Sequence, residues 1–327
     1  MPSVSRREIL LASLALSSGA PSALAQNYPA RAVRFVTSFA AGGNADILTR
    51  IVGDGLSRSL GQTFFTDNRP GGNNIIGTQF AAKSAPDGYT LLMISTSHTV
   101  NPALVGKELP YDTLRDFTSV TKVGDTPMVL VANPGLGVSS LKELIAKAKA
   151  APGAINFSSS GDGSPAHMAG ELFNVMAGIK TTHVPYKSTQ QATTDAISGQ
   201  VELAYPSLSS VGEMIKAGKL RALGITSSRR SPVAPDIPTI AETLPGFQAG
   251  IWTGVVVPMG VPKPIIAKLN SEIIKVLSTP ETKAKLANMG VDVDTGTPEE
   301  FDAFIDAEVK KWGQVLRQGS IKVETKR

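Results

Sequence analysis

The sequence predicts an α/β protein built as two lobes, each with a mainly parallel sheet flanked by helices. Short buried strands alternate with amphipathic helices along the chain, which is typical of parallel sheets covered on both faces. The alternation occurs in two runs, and two segments, near residues 126 and 248, cross between them. Folds of this kind bind ligands in a cleft at the carboxyl ends of their strands, so we expect a cleft between the lobes.

The first run begins with a buried strand, residues 33–39, which enters a glycine-rich loop. The helix that follows ends at Gly61, because its apolar residues recur at helical spacing up to that glycine. The remaining predicted elements are a strand at 63–66, a helix at about 75–83, a strand at 89–95 and a polar loop at 95–98.

The second run carries clear helix-start signals. Ser140 with Glu143 and Ser188 with Gln191 have the spacing of helix caps, and Ser164 precedes a proline at a first helical position. The predicted elements are strands at 128–131, 155–158, 201–205 and 220–225, and helices that start after these three serines.

A proline-rich crossing, residues 231–238, leads to a strand at 255–257 and three amphipathic helices at about 264–278, 280–289 and 298–318. The crossings near 126 and 248 set the predicted lobe boundaries. One lobe comprises residues 26–125 and 249–327, and the other comprises residues 126–248.

The first 25 residues have the charged, apolar and small-residue regions of an exported bacterial precursor. Arg6 and Arg7 precede an apolar stretch, and Ala23 and Ala25 occupy the −3 and −1 positions of a cleavage site. We therefore predict a signal peptide, residues 1–25, that is cleaved near Ala25/Gln26. The twin arginine favours export of the folded protein, and the general secretory route stays open.

Composition excludes several kinds of site. The chain has no cysteine, which excludes disulfides, thiolate zinc sites, iron–sulfur clusters and cysteine nucleophiles. The net charge is +5, but the basic residues are scattered and the aromatic residues are few, so we expect no nucleic-acid partner. The three histidines have no metal-binding spacing, and no phosphate-loop or nucleophile-elbow motif occurs. We expect neither a metal nor a cofactor.

Two loops rich in glycine and serine, one in each run, end a strand and open a helix. They are residues 39–44 and 158–164. Free N–H groups at a helix N-terminus attract carboxylate and phosphate groups. Taken alone, each loop is better explained by structure, as a tight turn at Gly42 and Gly43 or as a helix cap at Ser164. Their matching places in the two runs favour an anion-binding cleft.

A series of short motifs supports a more specific assignment. They are FAAGGxxD at 39–46, DNRPG at 67–71, PDGYTLL at 86–92, LPYD at 109–112, DF at 116–117, HxAGELF at 167–173, HVPYK at 183–187 and GKLRAL at 218–223. In this order they resemble the Bug family, the periplasmic receptors of tripartite tricarboxylate transporters. The similarity runs from about Tyr28 to Ile321. The sequence departs from the family pattern at Ser188 and at 205–207, which concerns the identity of the ligand rather than the fold.

The resemblance implies a type II periplasmic binding protein fold, whose two lobes close on a small organic acid in the periplasm. It also implies that the membrane permease subunits of a tripartite transporter are partners. In such proteins backbone N–H groups, hydroxyls and water hold the carboxylate. Carried onto this sequence, the ligand contacts are Phe39, Gly42, Gly43, Asp46, Thr96, Ser97, His98, Ser158, Gly163, Ser164, His167, Asp195 and Ser207.

Two other functions stay open on the sequence alone. One is a ligand sensor for a membrane signalling partner. The other is an exported enzyme acting on a small organic acid, for which Ser164 and His167 are the only catalytic pair. The receptor interpretation predicts reversible capture of a mono-, di- or tricarboxylate, an amino acid or an aromatic acid, without turnover. It also predicts a monomer, because the loops need no second subunit.

Overall fold

The computed structural model describes residues 28–231 and 234–319. The predicted signal peptide, residues 1–25, lies outside the described residues. Two mixed sheets with helices packed against them form the described part of the chain. No helix within these two ranges is long and apolar enough to cross a membrane.

The described residues contain eleven strands and ten α-helices. The strands are β1 (Val33–Thr37), β2 (Phe64–Asn68), β3 (Thr90–Ser95), β4 (Phe117–Thr126), β5 (Val129–Ala132), β6 (Asn156–Ser159), β7 (Thr182–Pro185), β8 (Leu203–Ala204), β9 (Arg221–Ile225), β10 (Ile251–Pro258) and β11 (Asp292–Val293). The helices are α1 (Asn44–Leu60), α2 (Ile75–Ala82), α3 (Ser97–Val105), α4 (Leu141–Ala150), α5 (Pro165–Ala177), α6 (Thr189–Ser198), α7 (Leu208–Lys216), α8 (Lys263–Ser278), α9 (Pro280–Asn288) and α10 (Pro298–Gln318).

Both sheets are mixed rather than mainly parallel as predicted. The reason is that β4, β5 and β10, the crossing strands that carry the chain between the two halves, run antiparallel to their neighbours. In the first sheet, ordered β11-β4-β10-β3-β1-β2, β1 is parallel to β2 and β3, and β10 lies antiparallel between β3 and β4. In the second, ordered β7-β6-β8-β5-β9, β6 is parallel to β7 and β8, and β5 is antiparallel to β8 and β9. The chain passes from β4 directly into β5 and returns through β10. These two links lie near residues 126 and 248, where the sequence predicts crossings, and the lobe boundaries drawn from them stay a prediction.

Local sequence signals set the helix ends as expected. The hydroxyls of Ser140, Ser164 and Ser188 each accept a hydrogen bond from the backbone N–H three residues later. Gly61 and Gly178 end α1 and α5 with positive φ angles of 69° and 60°, a conformation that costs little for glycine.

The polar loop predicted at residues 95–98 is wrong, because Ser97 opens α3. Pro102 lies inside this helix, and its lack of an N–H leaves the carbonyl of His98 without its usual helical donor. The Thr113 hydroxyl donates to that carbonyl at 3.2 Å and takes the place of the missing bond. A contact from a distant residue thus permits a helix that the local sequence disfavours.

The core clusters show that α10 contributes to the cores of both halves. Its N-terminal half places Phe301 and Ile305 in a cluster with strands of the first sheet. Its C-terminal half places Trp312 and Leu316 in a cluster with Phe157 and other residues of the second sheet's half. The last helix therefore joins the cores on either side of the crossing strands.

Candidate functional site

A cavity of about 560 Å³ lies where the crossing strands meet elements of both sheets. We refer to it as the cleft cavity. Thr126 and Ile251 belong to the crossing strands, and Asn44 comes from the half that holds the first sheet. The other lining residues belong to the second half: Met128, Ser160, Pro165, Ala166, Thr189, Gln190, Thr193, Thr194, Ile197, Tyr205, Ser207, Ser210 and Met214.

Four helix N-termini meet at this cavity. Asn44 is the first residue of α1, and Pro165 opens α5. Thr189 opens α6, and Ser207 is the N-cap of α7. The N–H groups of a helix's first turn have no partner within the helix and lie at the positive end of its peptide dipoles. Here the N–H groups of His167, Gln191 and Leu208 already donate to Ser164, Ser188 and Pro127. The four helix dipoles and the remaining N–H groups therefore favour an anion at this cavity.

None of the described residues that line the cleft cavity carries a charge. Most of its polar groups are hydroxyls, and several of these are already committed. Thr193, Thr194 and Ser210 donate to the carbonyls of Thr189, Gln190 and Ser207. Ser207 differs, because its side chain does not cap α7. Its hydroxyl is therefore available to donate to a ligand.

In the first loop, the predicted contact Asp46 holds the backbone in place. Its carboxylate accepts hydrogen bonds from the N–H of Gly42 at 2.8 Å, from Arg50 at 3.1 Å and from Asn68 at 2.8 Å. Burial alone raises the pKa of Asp46, but these hydrogen bonds outweigh it and keep the pKa below its ordinary value. Asn68 also donates to the carbonyl of Phe39.

Four of the predicted contacts thus lie in or support the loop that brings Asn44 to the cavity, but they do not line the cavity themselves. They are Phe39, Gly42, Gly43 and Asp46. Gly43 is the N-cap of α1.

In the second loop, several predicted contacts bond to the protein backbone. Ser158 donates to the carbonyls of Ala192 and Leu203. The hydroxyl of Ser164 accepts from the backbone N–H of His167. The loop instead presents Ser160 to the cleft cavity, and Pro165 and Ala166, directly after the predicted residues, also line it.

The geometry does not favour Ser164 and His167 as a catalytic pair. The Nδ1 atom of the His167 ring accepts a hydrogen bond from the N–H of Gly163 at 3.0 Å. The Ser164 hydroxyl meets the backbone of His167 rather than its ring. A serine nucleophile needs its base within hydrogen-bond reach, and these bonds serve the helix start instead.

The remaining predicted contacts lie at different places. Thr96 links β3 to the returning strand, since its hydroxyl donates to Gly250 and accepts from the N–H of Trp252. Ser97 accepts from Asn74 at 2.6 Å. Three more predicted contacts remain: His98 lines a different cavity, Asp195 lies on α6 beside Tyr186, and Ser207 lines the cleft cavity. As ligand contacts, all thirteen stay predictions.

The fold also brings together Asp162, His167 and His183, which no local spacing in the sequence indicates. One ligand atom from each lies within 4.8 Å of the others. The two imidazole rings stack at 3.9 Å and 13°, so their nitrogen lone pairs lie in two nearly parallel planes and do not converge on one ion between the rings. A tetrahedral metal site needs convergent lone pairs, and His183 Nε2 already pairs with the Ser159 hydroxyl at 2.6 Å. The expected absence of a metal stays a prediction.

Residues 48–321 match the family model described as the tripartite tricarboxylate transporter family receptor. The chain belongs to this family. Protein BugT of Bordetella pertussis is 39% identical to this receptor over 92% of the chain and 93% of its own length. A UPF0065 protein encoded in the tcbD-tcbE intergenic region of Pseudomonas sp. strain P51 is 34% identical, covering 97% of the chain and 95% of its own length. The predicted membership of the Bug family is confirmed.

Solved structures agree with this assignment. R. palustris Rpa4515 with adipate has a TM-score of 0.76 and 32% identity to the receptor, covering 90% of this chain and 99% of its own. MatC (Rpa3494) from Rhodopseudomonas palustris with bound malate has a TM-score of 0.73 and 31% identity, covering 88% and 100%. The periplasmic binding protein BugD has a TM-score of 0.73 and 30% identity, covering 90% and 99%. The predicted two-lobed α/β fold is confirmed, and the receptor is a periplasmic solute-binding protein of the tripartite tricarboxylate transporter family.

Proposed function

We propose that the cleft cavity captures a small organic acid by its carboxylate and that the two lobes close on it. The observation that carries this proposal is the meeting of four helix N-termini in a cavity whose described lining is uncharged. Helix N-termini bind anions through N–H groups and peptide dipoles. Two related structures contain adipate and malate, both dicarboxylates.

The lining also suggests the shape of the ligand. Met128, Tyr205, Met214 and Ile251 give the cavity apolar walls between its polar groups. An apolar chain or ring with a carboxylate at one end places each part of the ligand against a matching surface. We therefore propose an acid with an apolar body, and we do not assign the group at its far end.

The cellular role follows from the family. We propose that residues 1–25 direct export and are removed near Ala25/Gln26, and that the loaded receptor delivers its acid to the membrane permease of a tripartite transporter. On ligand binding, the two predicted lobes then move toward each other. One lobe comprises residues 26–125 and 249–327, and the other comprises residues 126–248. Capture is reversible and leaves the ligand chemically unchanged.

A thermal-shift screen of residues 26–327, refolded to remove carried-over ligand, tests the proposal. The panel contains mono-, di- and tricarboxylates, amino acids and aromatic acids. A ligand that binds only the folded protein stabilises it by RT ln(1 + [L]/Kd), about 2.7 kcal/mol at a hundredfold excess over Kd. We expect one class of acid to raise the melting temperature in proportion to the logarithm of its concentration.

The matched control is the amide of the best acid, in which every carboxyl group is replaced by a carboxamide, so that the molecule keeps its length and loses its negative charge. An anion site built from helix N-termini requires the carboxylate, so the amide should give no shift. Equal stabilisation by acid and amide would contradict a carboxylate site. Consumption of the bound acid, measured by NMR during a long incubation, would favour an enzyme over a receptor.

A further inference from the structure

Two stacked histidines contact the second loop, residues 158–164, from behind the cleft cavity. His167 is on α5 and His183 is on β7, and the centres of their rings are 3.9 Å apart. Neither is among the described residues that line the cleft cavity, so the function proposed above gives them no role. Each ring nevertheless bonds to one end of the second loop.

His167 holds the end of the loop that leads into α5. The residue is 2% exposed, and its Nδ1 atom accepts a hydrogen bond from the N–H of Gly163 at 3.0 Å. A protonated Nδ1 cannot accept, so the neutral ring carries its proton on Nε2. That atom lies 3.7 Å from a carboxylate oxygen of Glu171, which favours the same tautomer. The contact therefore requires an acceptor at the Nδ1 position of residue 167.

His183 holds the end of the loop that leaves β6. Its Nε2 atom pairs with the hydroxyl of Ser159 at 2.6 Å. The same hydroxyl accepts a hydrogen bond from the N–H of Gly161 at 3.0 Å. The other ring nitrogen, Nδ1, lies 3.6 Å from a carboxylate oxygen of Asp162. Here the contact with the loop requires a polar atom at the Nε2 position of residue 183.

The N–H groups that these contacts leave free include two at the cleft cavity. Ser160 and Ala166 both line this cavity, and no acceptor in the described part of the chain takes their backbone N–H groups. Gly161 and Gly163, whose N–H groups are taken, are not among its described lining residues. The N–H of Asp162 also has no acceptor among the described residues, but Asp162 is exposed and lies outside the lining.

The glycines make the second loop easy to deform. Gly161 and Gly163 have φ angles of 113° and 71°, and a glycine reaches many other conformations at little cost. The backbone alone therefore does not fix the N–H groups of Ser160 and Ala166. A binding site needs its groups held in place by side chains on rigid elements, and the two stacked rings, one on a helix and one on a strand, meet this need.

We propose that His167 and His183 are positioning residues for the organic-acid site. Their bonds hold the second loop in the shape that leaves the N–H groups of Ser160 and Ala166 to the carboxylate of the acid. Both histidines act through the loop rather than by contact with the acid. The role rests on the function proposed above, and it assigns two of the N–H groups that bind the carboxylate.

Asparagine and glutamine test the role, because their amides reach different positions of the imidazole ring. The amide of asparagine lies near the position of Nδ1, and that of glutamine lies near the position of Nε2. His167→Asn should therefore bind the acid about tenfold more tightly than His167→Gln, since only the former keeps a partner for the buried N–H. At residue 183 the order should be reversed, with His183→Gln about tenfold tighter than His183→Asn. Titration calorimetry, with the acid that gives the largest shift in the thermal screen, measures the four affinities.

Amide proton exchange, measured by NMR on unmodified residues 26–327, tests the same contacts without a substitution. The amide proton of Gly163 should exchange slowly already in the free receptor. Those of Ser160 and Ala166 should exchange rapidly in the free receptor and about tenfold more slowly when the acid is bound. The ring ¹⁵N resonances of His167 should show a proton on Nε2 and none on Nδ1.

A role in packing alone predicts that asparagine and glutamine act alike at each position, and this result would overturn the proposal. Rapid exchange at Gly163 in the free receptor would also overturn it, as would exchange at Ser160 and Ala166 that the bound acid leaves unchanged. If no acid binds the unmodified receptor, the function proposed above fails and this role fails with it. Acid binding with equal affinities for the asparagine and glutamine variants overturns the role alone, so the two failures can be told apart.

Discussion

Serine hydroxyls at helix starts serve two different purposes in this receptor. Ser140 caps α4 by accepting from the N–H of Glu143. Ser207 occupies the same position at α7, but it makes no such bond and lines the cleft cavity. One hydroxyl therefore stabilises a helix, and the other is free to bind ligand.

Ser207→Ala should weaken binding of the organic acid about ten- to a hundredfold, since a hydrogen bond to a charged group contributes roughly 1.5–3 kcal/mol. It should leave the free energy of unfolding nearly unchanged. Ser140→Ala is the matched control and should do the reverse, lowering the free energy of unfolding by about 1 kcal/mol with no effect on affinity. Calorimetry and urea unfolding measure the two quantities. Similar effects of both variants would contradict the assignment.

Buried neutral histidines make stability depend on pH. Burial, and to a lesser extent the neighbouring His167, lowers the pKa of His183 to about 3. In the unfolded chain a histidine titrates near 6.5. Between these two values the unfolded state binds a proton that the folded state does not. Stability therefore falls as pH falls from about 6.5 toward 3. His98, whose pKa is also about 3, acts in the same direction.

His183→Gln should remove its share of this dependence. From pH 6 to pH 5, we expect the free energy of unfolding of the unmodified receptor to fall by about 1 kcal/mol more than that of the variant. Urea unfolding at the two pH values gives the difference. Above pH 7.5 both states of His183 are neutral, so the gap between the two proteins should stop changing there. Parallel pH profiles throughout would show that His183 has the same pKa in the folded and the unfolded state.

At the scale of single elements, α5 is flanked by two glycines of positive φ, Gly163 directly before its N-cap and Gly178 at its C-cap. Gly163 has a φ of 71°, and a Cβ atom built on it lies 2.5 Å from a methyl group of Leu104 on α3. Gly178 has a φ of 60°, and a Cβ atom there meets nothing within 4 Å. Gly163 lies where α5 of the second half faces α3 of the first, and it permits their close approach.

Gly163→Ala should therefore cost more than Gly178→Ala. Both variants require a positive φ in a residue with a Cβ atom, which costs about 1–2 kcal/mol. Only Gly163→Ala adds a clash with Leu104, so it should also weaken ligand binding by hindering the approach of the two halves. Thermal unfolding and calorimetry compare the two variants.

The double variant Gly163→Ala/Leu104→Ala separates the clash from the backbone strain. It should recover much of the lost affinity, because the shorter side chain makes room for the new methyl group. Equal affinities for Gly163→Ala and Gly178→Ala would contradict a role for Gly163 in closure.

The sequence predicts the elements of this fold better than the contacts of its site. Helix starts such as Ser164 and ends such as Gly178 depend on neighbours along the chain, and the structure places both as predicted. Thr113, distant in sequence, donates to the His98 carbonyl that Pro102 leaves without a helical donor in α3. The local pattern does not contain this contact and predicts a loop at residues 95–98. Asn44 and Ser160 line the cleft cavity, whereas the ligand contacts predicted from the sequence are nearby residues of the same loops. The difference arises because the direction of a side chain in a loop follows from the tertiary fold.

The whole molecule is held together by more than its two crossing strands. Trp312, near the end of α10, is 1% exposed and packs in the core of the second sheet's half, although the start of the same helix packs against the first sheet. The chain contains two tryptophans. Both Trp252, on β10, and Trp312 donate to the same carboxylate oxygen of Glu308. Unfolding of either half therefore disturbs α10 and, through it, the other half.

Trp312→Ala should uncouple the two halves. Truncation of a buried tryptophan costs about 3–5 kcal/mol, and here the loss falls on the second half while the contacts of Phe301 with the first remain. In the unmodified receptor, urea transitions followed by tryptophan emission and by far-ultraviolet circular dichroism should coincide. In the variant, Trp252 is the remaining tryptophan and reports on the first half. Its emission should therefore change at a higher urea concentration than the first change in circular dichroism, which reports unfolding of the second half.

Leu277→Ala, in a buried position on α8, is the control and should lower stability with coincident transitions, because it does not touch the connection between the halves. Coincident transitions in Trp312→Ala would mean that the crossing strands alone couple the two halves.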